Sequence, residues 1–219
     1  ERWKGQLHFL CHFYVNLSWR KQYVGIFETT YDGITYYLVD NEFYFAGNAP
    51  YNNIYEDVEK FAFFSKAVLE ALPYLDFCPD IIHCHDWQTG LVPVYLHDSF
   101  QQNEFFWGIK SIMTIHNLKF QGVWDVKTVQ GITGLSDYYF APDKLEAYKD
   151  ANFLKGGIVF ADAVTTVSNT YAEEIKTPFY GEGLDGLMSA RANDLCGIVN
   201  GLDYNDWNPD TDHRIAKTF

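Results

Sequence analysis

The sequence predicts an α/β fold: a Rossmann-like, doubly wound, mostly parallel sheet with a β-hairpin near the N-terminus. Three observations carry this. From Asp80 onward, short apolar strands alternate with helical patterns, the signature of consecutive βαβ units. Residues 110–116 are mostly apolar on both faces, as in a parallel strand with helices above and below. Near the start, 23–28 and 34–39 are rich in branched and aromatic residues and flank Asp32-Gly33, the strongest short hairpin signal.

The elements follow in order. Asn53 precedes Glu56 by a capping-box spacing, which predicts a helix start. Val58, Phe61, Ala62, Ser65, Val68, Leu69 and Leu72 then recur at helical spacing until Pro73 stops the run. Residues 80–85 read as a strand, 89–97 as a helix and 110–116 as the next strand, while 122–150 reads as the longest loop. A helix over 152–161, a strand over 163–167, a helix over 169–176 and a strand over 195–199 complete the alternation.

A chain of 219 residues suits one large α/β domain or two small ones. With 47% apolar and 21% charged residues it can bury a core, so disorder is excluded for most of its length. Lys plus Arg number 16 against 29 Asp plus Glu, a net charge of −13. That balance lacks the basic footprint of a nucleic-acid or anionic-membrane partner. Aromatic residues reach 18%; much of that is expected in the core, but sugar-binding clefts also use such flat apolar faces. Cys11, Cys78, Cys84 and Cys196 show no CxxC and read as free buried thiols of a reducing compartment. No apolar run approaches the ~18 residues of a membrane span. The start at Glu1-Arg2-Trp3 suggests a piece of something longer.

Ligands of open parallel sheets bind beyond the carboxyl ends of the strands. Here those ends carry His85-Asp86-Trp87-Gln88, His116-Asn117, Ser168-Asn169-Thr170 and Asn200-Gly201. All are polar, so one cleft for a polar ligand is expected. His83, Cys84, His85 and Cys78 have metal-ligating chemistry, but strand alternation turns Cys84 away from the two histidines. No second ligand pair has zinc-like spacing, so neither metal nor cofactor is expected. His83, more than His85, reads as a buried histidine satisfied by neighbours. Asp86 is evenly a general acid or base or an N-cap or turn residue ahead of the next helix. His116 has the stronger case, because a whole apolar strand delivers it to the cleft; its alternative is a structural histidine at a strand–loop junction. Lys155-Gly156-Gly157 is not a phosphate loop, since it lies inside a helical pattern; its glycines suit close helix packing or a backbone brought near a ligand. Residues 181–186, glycine-rich with two acids, read as a flexible connection. No GxSxG elbow is present.

Several segments resemble bacterial glycogen synthases and plant starch synthases. They are Asp80-Ile81-Ile82-His83-Cys84-His85-Asp86-Trp87-Gln88-Thr89-Gly90, Thr114-Ile115-His116-Asn117-Leu118-Lys119-Phe120-Gln121-Gly122 and Asn152-Phe153-Leu154-Lys155-Gly156-Gly157. Residues 164–168, 170–175, 180–187, 197–203 and 207–209 continue the likeness, with 19–25 and 61–67 upstream. The motifs stand in the family's order and cover almost all of the chain.

The resemblance implies one half of a GT-B architecture, the acceptor-side amino-terminal domain, with 200–219 the start of the interdomain linker. Such enzymes pass glucose from ADP-glucose to the non-reducing end of an α-1,4-glucan with retention of configuration. Carried over, His116 lies against the transferred glucose with Asp86 in the same cleft. Trp87, Gln88 and Asn117 line it, and Asn200 sits where the chain crosses to the other domain. The family's lysine-and-double-glycine loop and first βαβ elements would precede residue 1, and its nucleotide-sugar domain would follow residue 219. The chain by itself is therefore expected to be inactive and to oligomerise through exposed sheet edges. A cytoplasmic location is implied, or a plastid one for a plant sequence. The alternatives are another GT-B transferase with a UDP donor, a non-catalytic glucan-binding module and, least of all, a nucleotide-binding signalling domain.

Overall fold

The computed structural model describes residues 5–47 and 49–218. The first four residues and Phe219, at the limits of the expected domain, lie outside them. An antiparallel sheet comes first, made of β1 (His8–Leu17), β2 (Arg20–Tyr31) and β3 (Ile34–Asp40) in that order. Asp32 and Gly33 both take positive φ, 52° and 75°, the primed turn that lets β2 and β3 pair from Tyr31 and Ile34 onward. β1 did not stand out in the sequence. Its buried Phe13, Val15 and Leu17 alternate as they should, but Phe9, Leu10 and Tyr14 are apolar and exposed, which hides the period.

After α1 (Glu42–Phe45) comes α2 (Ile54–Tyr74). Asn53 caps it as expected, its side chain accepting the Glu56 N–H at 3.1 Å. Val58, Ala62, Ser65 and Leu69 are buried at the predicted spacing. Pro73 does not stop the helix but sits inside its last turn.

Then follow β4 (Ile81–His85), a short 3-10 turn Trp87–Thr89, α3 (Leu91–Asp98) and β5 (Lys110–Ile115). The expected loop over 122–150 is corrected. It contains β6 (Val123–Asp125), α4 (Val126–Thr133), β7 (Glu146–Ala147) and β8 (Asp150–Asn152), the strands forming a sheet in the order β6-β8-β7. Strands this short show no period, and α4 depends on its ends: Asp125 accepts the Thr128 N–H at 2.9 Å, and Gly134 closes the helix at φ 73°. The chain continues through α5 (Phe153–Phe160), β9 (Ala163–Thr166), α6 (Asn169–Glu174), α7 (Asp185–Ala190) and β10 (Leu195–Gly197).

The central sheet is parallel, in the order β10-β9-β5-β4. Its strands step in one direction along the sequence, so right-handed crossovers place their helices on the same face. That face buries Cys84, Met113, Ile115, Val164 and Thr166. Full burial of Met113, Ile115 or Val164 contributes about 1.5–3 kcal/mol each. On the other face lie Ile81, 53% exposed, His83, His85, Thr114 and Thr165. Among the described residues, then, β5 is helix-covered on one side, and a chain of hydrogen bonds runs across the other. His83 Nε2 is 2.6 Å from Thr114 Oγ1, which is 2.5 Å from Thr165 Oγ1.

Glycine sets the helix spacing, as the sequence suggested for Gly156 and Gly157. A Cβ on Gly157 would stand 3.1 Å from the Gly90 Cα, and one on Gly156 3.0 Å from Leu145 and 3.1 Å from Val94. The C-terminal carbonyls of α5 are capped from afar: Arg191 donates to Ile158 O at 2.8 Å and Ala161 O at 2.9 Å, placing a cation where the helix dipole favours one. All four cysteines are unpaired, but only Cys84 is buried; Cys78 and Cys196 are exposed. Among the described residues no helix is long and apolar enough to cross a membrane.

Candidate functional site

β4 and β5 lie side by side, so their carboxyl ends deliver His85-Asp86 and His116-Asn117 to one place. Asp86 leaves its strand at φ 56° and ψ −172°, a region that only glycine adopts freely. Hydrogen bonds on several sides hold it there, including one from the Thr89 hydroxyl to its carbonyl at 3.3 Å. The Asp86 N–H donates to Thr114 O at 2.9 Å, its Oδ1 accepts the His116 N–H at 2.8 Å, and its carbonyl accepts from the Thr89 N–H at 3.2 Å. Its carboxylate makes no cap bond and reaches across to the neighbouring strand end, while its backbone serves as the turn residue ahead of the next helix. Thr89 braces the turn, its Oγ1 accepting the His85 N–H at 2.7 Å.

His116 is exposed, and its Nε2 lies 3.0 Å from His85 Nδ1. One proton serves that bond, so at least one of the two facing nitrogens is unprotonated. His83, expected to be buried, is exposed, although Thr114 does satisfy it. Cys84 points to the opposite face and burial pushes its thiol up to about 12, which removes it from any ligand set with the histidines.

Burial, with His83 and His116 nearby, holds His85 below the ordinary histidine value, Asp86 opposing. The unfolded chain therefore takes up this proton at higher pH than the folded one. Stability rises with pH between the two values and is lost as pH falls below about 6.5. The melting temperature should accordingly be lower at pH 5.5 than at pH 7.5, by a margin that His85→Gln reduces. An equal margin in wild type and variant would count against a neutral His85 in the folded chain.

Beside these strand ends is a cavity of about 330 Å³ lined by Tyr51, Asp57, Asp86, Trp87, Gln88, Asn117 and Phe120. The structure thus brings four of the expected residues, Asp86, Trp87, Gln88 and Asn117, into one wall, with His116 bonded to Asp86. Trp87 is only 6% exposed. Its indole lies over Gly122, where a Cβ would meet the ring at 2.2 Å, and edge-on to Phe61 with centroids 5.0 Å apart. It is the floor. The open aromatic faces belong to Phe120 and Tyr51, 59% and 52% exposed, neither singled out in the sequence. Phe120 stands inside a strand-end motif and could have been found there; nothing local marks Tyr51. Asn200 lies beyond the carboxyl end of β10, exposed, on a strand two removed from β5.

The two glycine motifs support the cleft. Lys155 donates to the carbonyls of Pro142 and Glu146, so its ammonium is engaged by backbone. The 181–186 segment is tied down: the Tyr148 hydroxyl donates to Gly183 O at 3.0 Å, and Gln121 Nε2 donates to Glu182 O at 3.1 Å and to Leu118 O at 3.0 Å. Gln121 also accepts from Asn152 Nδ2 at 2.6 Å, which joins the His116 loop to the start of α5.

Comparison with known proteins adds to this geometry. The family model described as starch synthase catalytic domain matches residues 1–190. A glycogen synthase of Lachnoclostridium phytofermentans is 71% identical over the whole chain, which covers 46% of that protein. A glycogen synthase of Lachnospira eligens is 67% identical over 99% of the chain and 45% of its own length. The chain therefore spans about half the length of these relatives. Among solved structures, the catalytic domain of starch synthase IV from Arabidopsis thaliana, bound to ADP and acarbose, superposes with a TM-score of 0.86. It is 30% identical, over 97% of this chain and 44% of that one.

Proposed function

Since the chain belongs to the starch synthase catalytic domain family, we propose that it forms the acceptor side of a glucosyltransferase that extends an α-1,4-glucan. The convergence of Asp86, Gln88, Asn117 and the open rings of Tyr51 and Phe120 on one cavity carries this reading. Flat aromatic faces edged by carboxylate and amide groups match the alternating apolar and hydroxyl surfaces of a glucan. That the Arabidopsis relative was solved with ADP and the oligosaccharide acarbose supports both a nucleotide-sugar donor and a glucan acceptor.

His116 and Asp86 act at the transferred glucose. The Asp86 carboxylate orients the His116 backbone, and His85 holds the imidazole. Asn117 and Gln88 supply hydrogen bonds along the wall, and Asn200 belongs to the passage toward a second domain, of which 200–219 is the first part. The donor is ADP-glucose, gripped mainly outside these residues. Retaining transfer with no enzymic nucleophile draws its largest stabilisation from cations at the leaving phosphate. The described cleft is acidic and neutral in composition, so the 219-residue chain alone is read as transfer-incompetent. The setting is the bacterial cytoplasm, and the open edge of β4 is where copies would associate.

A thermal melt tests this division. Maltoheptaose should raise the transition of the chain, by about 2.7 kcal/mol at a hundredfold excess over its Kd, and ADP-glucose should leave it unmoved. A shift by ADP-glucose alone, or glucose transfer by the isolated chain, would overturn it.

A further inference from the structure

Two charged residues of α2, Asp57 and Lys60, are each only 4% exposed. Their side chains pair at 3.2 Å one helical turn apart. A buried ion pair is a poor source of stability, since apolar residues of similar size often do as well or better. Its value must lie in what else it touches. Lys60 Nζ donates to Pro50 O at 2.9 Å. The Asn52 N–H donates to Asp57, 3.0 Å from Oδ1 and 3.2 Å from Oδ2.

Those two backbone groups belong to the peptide units on either side of Tyr51. A planar peptide leaves only φ and ψ free at each residue, so gripping both flanking planes sets the backbone of Tyr51. The ring is held at its other end, where Gln88 Nε2 donates to the hydroxyl at 2.9 Å. It also packs against Phe61 with centroids 6.1 Å apart. Apolar residues at 57 and 60 could fill the same space but could hold neither peptide unit.

We propose that Asp57 and Lys60 are positioning residues for the glucan acceptor, clamping the loop so that the Tyr51 ring stands on the wall of the cleft that Phe120 also lines. This rests on the reading of the cavity as a glucan site. Asp57 also lines the cavity and Lys60 does not; the pair acts on the glucan chiefly by placing Tyr51, so removing it should weaken binding without weakening the fold.

The test compares maltoheptaose affinity, by calorimetry, with the melting temperature of the chain. Replacing the pair together, Asp57→Leu with Lys60→Met, should leave the melt near the wild-type value and raise Kd about tenfold, matching Tyr51→Ala. Adding Tyr51→Ala to the pair should cost nothing more, because all three act as one unit. Lys60→Arg, which keeps a buried donor, should bind within about threefold of wild type. If the paired variant does not fold, Asp57→Asn serves in its place: it keeps an acceptor for Asn52 and removes the charge facing Lys60, and a several-fold weaker Kd is expected. Wild-type affinity in a folded paired variant, or in Asp57→Asn, overturns the proposal, as does an additive loss on combination with Tyr51→Ala. Failure of the wild-type chain to bind maltoheptaose is a separate result and overturns the glucan reading itself.

Discussion

Asp86→Gly should leave the chain as stable as wild type, or more so, while disabling the site. At φ 56° and ψ −172° a residue with a Cβ carries about 1–3 kcal/mol of backbone strain, which glycine removes. Against this stands the lost bond from the His116 N–H to the carboxylate, 2.8 Å long and worth roughly 1.5–3 kcal/mol for a charged acceptor. The two nearly cancel. Asp86→Ala keeps the strain and loses the bond, so it should fall about 2 kcal/mol below wild type. Both variants free the His116 loop, and a displacement of about an ångström at a reacting centre costs on the order of a hundredfold in rate. Urea unfolding and glucose transfer by an enzyme carrying this segment read the two effects separately. If Asp86→Gly proves as destabilising as Asp86→Ala, the residue is not strained. If transfer survives in both, it is not part of the machinery.

Gly90→Ala should be among the most damaging single methyls in the chain, alongside Gly197→Ala, whose Cβ would fall 2.2 Å from the Ser168 carbonyl carbon. A Cβ on Gly90 would fall 2.2 Å from the Phe153 carbonyl oxygen and 2.6 Å from its carbon. Both are backbone atoms at the start of α5, so no rotamer change relieves the clash. The helices must separate, which costs roughly 3 kcal/mol or more, a fall of about 6–12 °C in melting temperature for a chain of this size. Gly131, inside α4 with open space around its Cβ position, is the control. There alanine should stabilise by about 0.5–1 kcal/mol through helix propensity and chain entropy. Equal effects at Gly90 and Gly131 would mean that α3 and α5 do not meet at Gly90.

Much of the site was legible because it follows from local chemistry. An apolar strand that ends in His116-Asn117, and a second that ends in His85-Asp86, announce polar groups at one edge of a parallel sheet. The same locality limits what can be read. Tyr51 precedes a well-marked helix cap at Asn53, but its place on the wall depends on Asp57, Lys60 and Gln88, the last 37 positions away. Trp87 lines the cavity as its motif suggests, but only Gly122 and Phe61 packed on its ring show that it is the buried floor and not an open face. The 122–150 segment looked irregular because its strands of two and three residues owe their pairing to each other rather than to any run of their own.

By itself the sequence determined the class of fold, the hairpin, the helix starts at Asn53 and Asn152, and two of the polar strand ends beside the cavity. All are settled by periodicity, capping and turn conformation over a few adjacent residues. Only the tertiary structure decided the contact of Gly90 with α5, the left-handed backbone of Asp86 and the pairing of His85 with His116. Each is an energy shared between groups far apart in the chain, some 30 positions in the case of Asp86 and His116, and no local pattern records it.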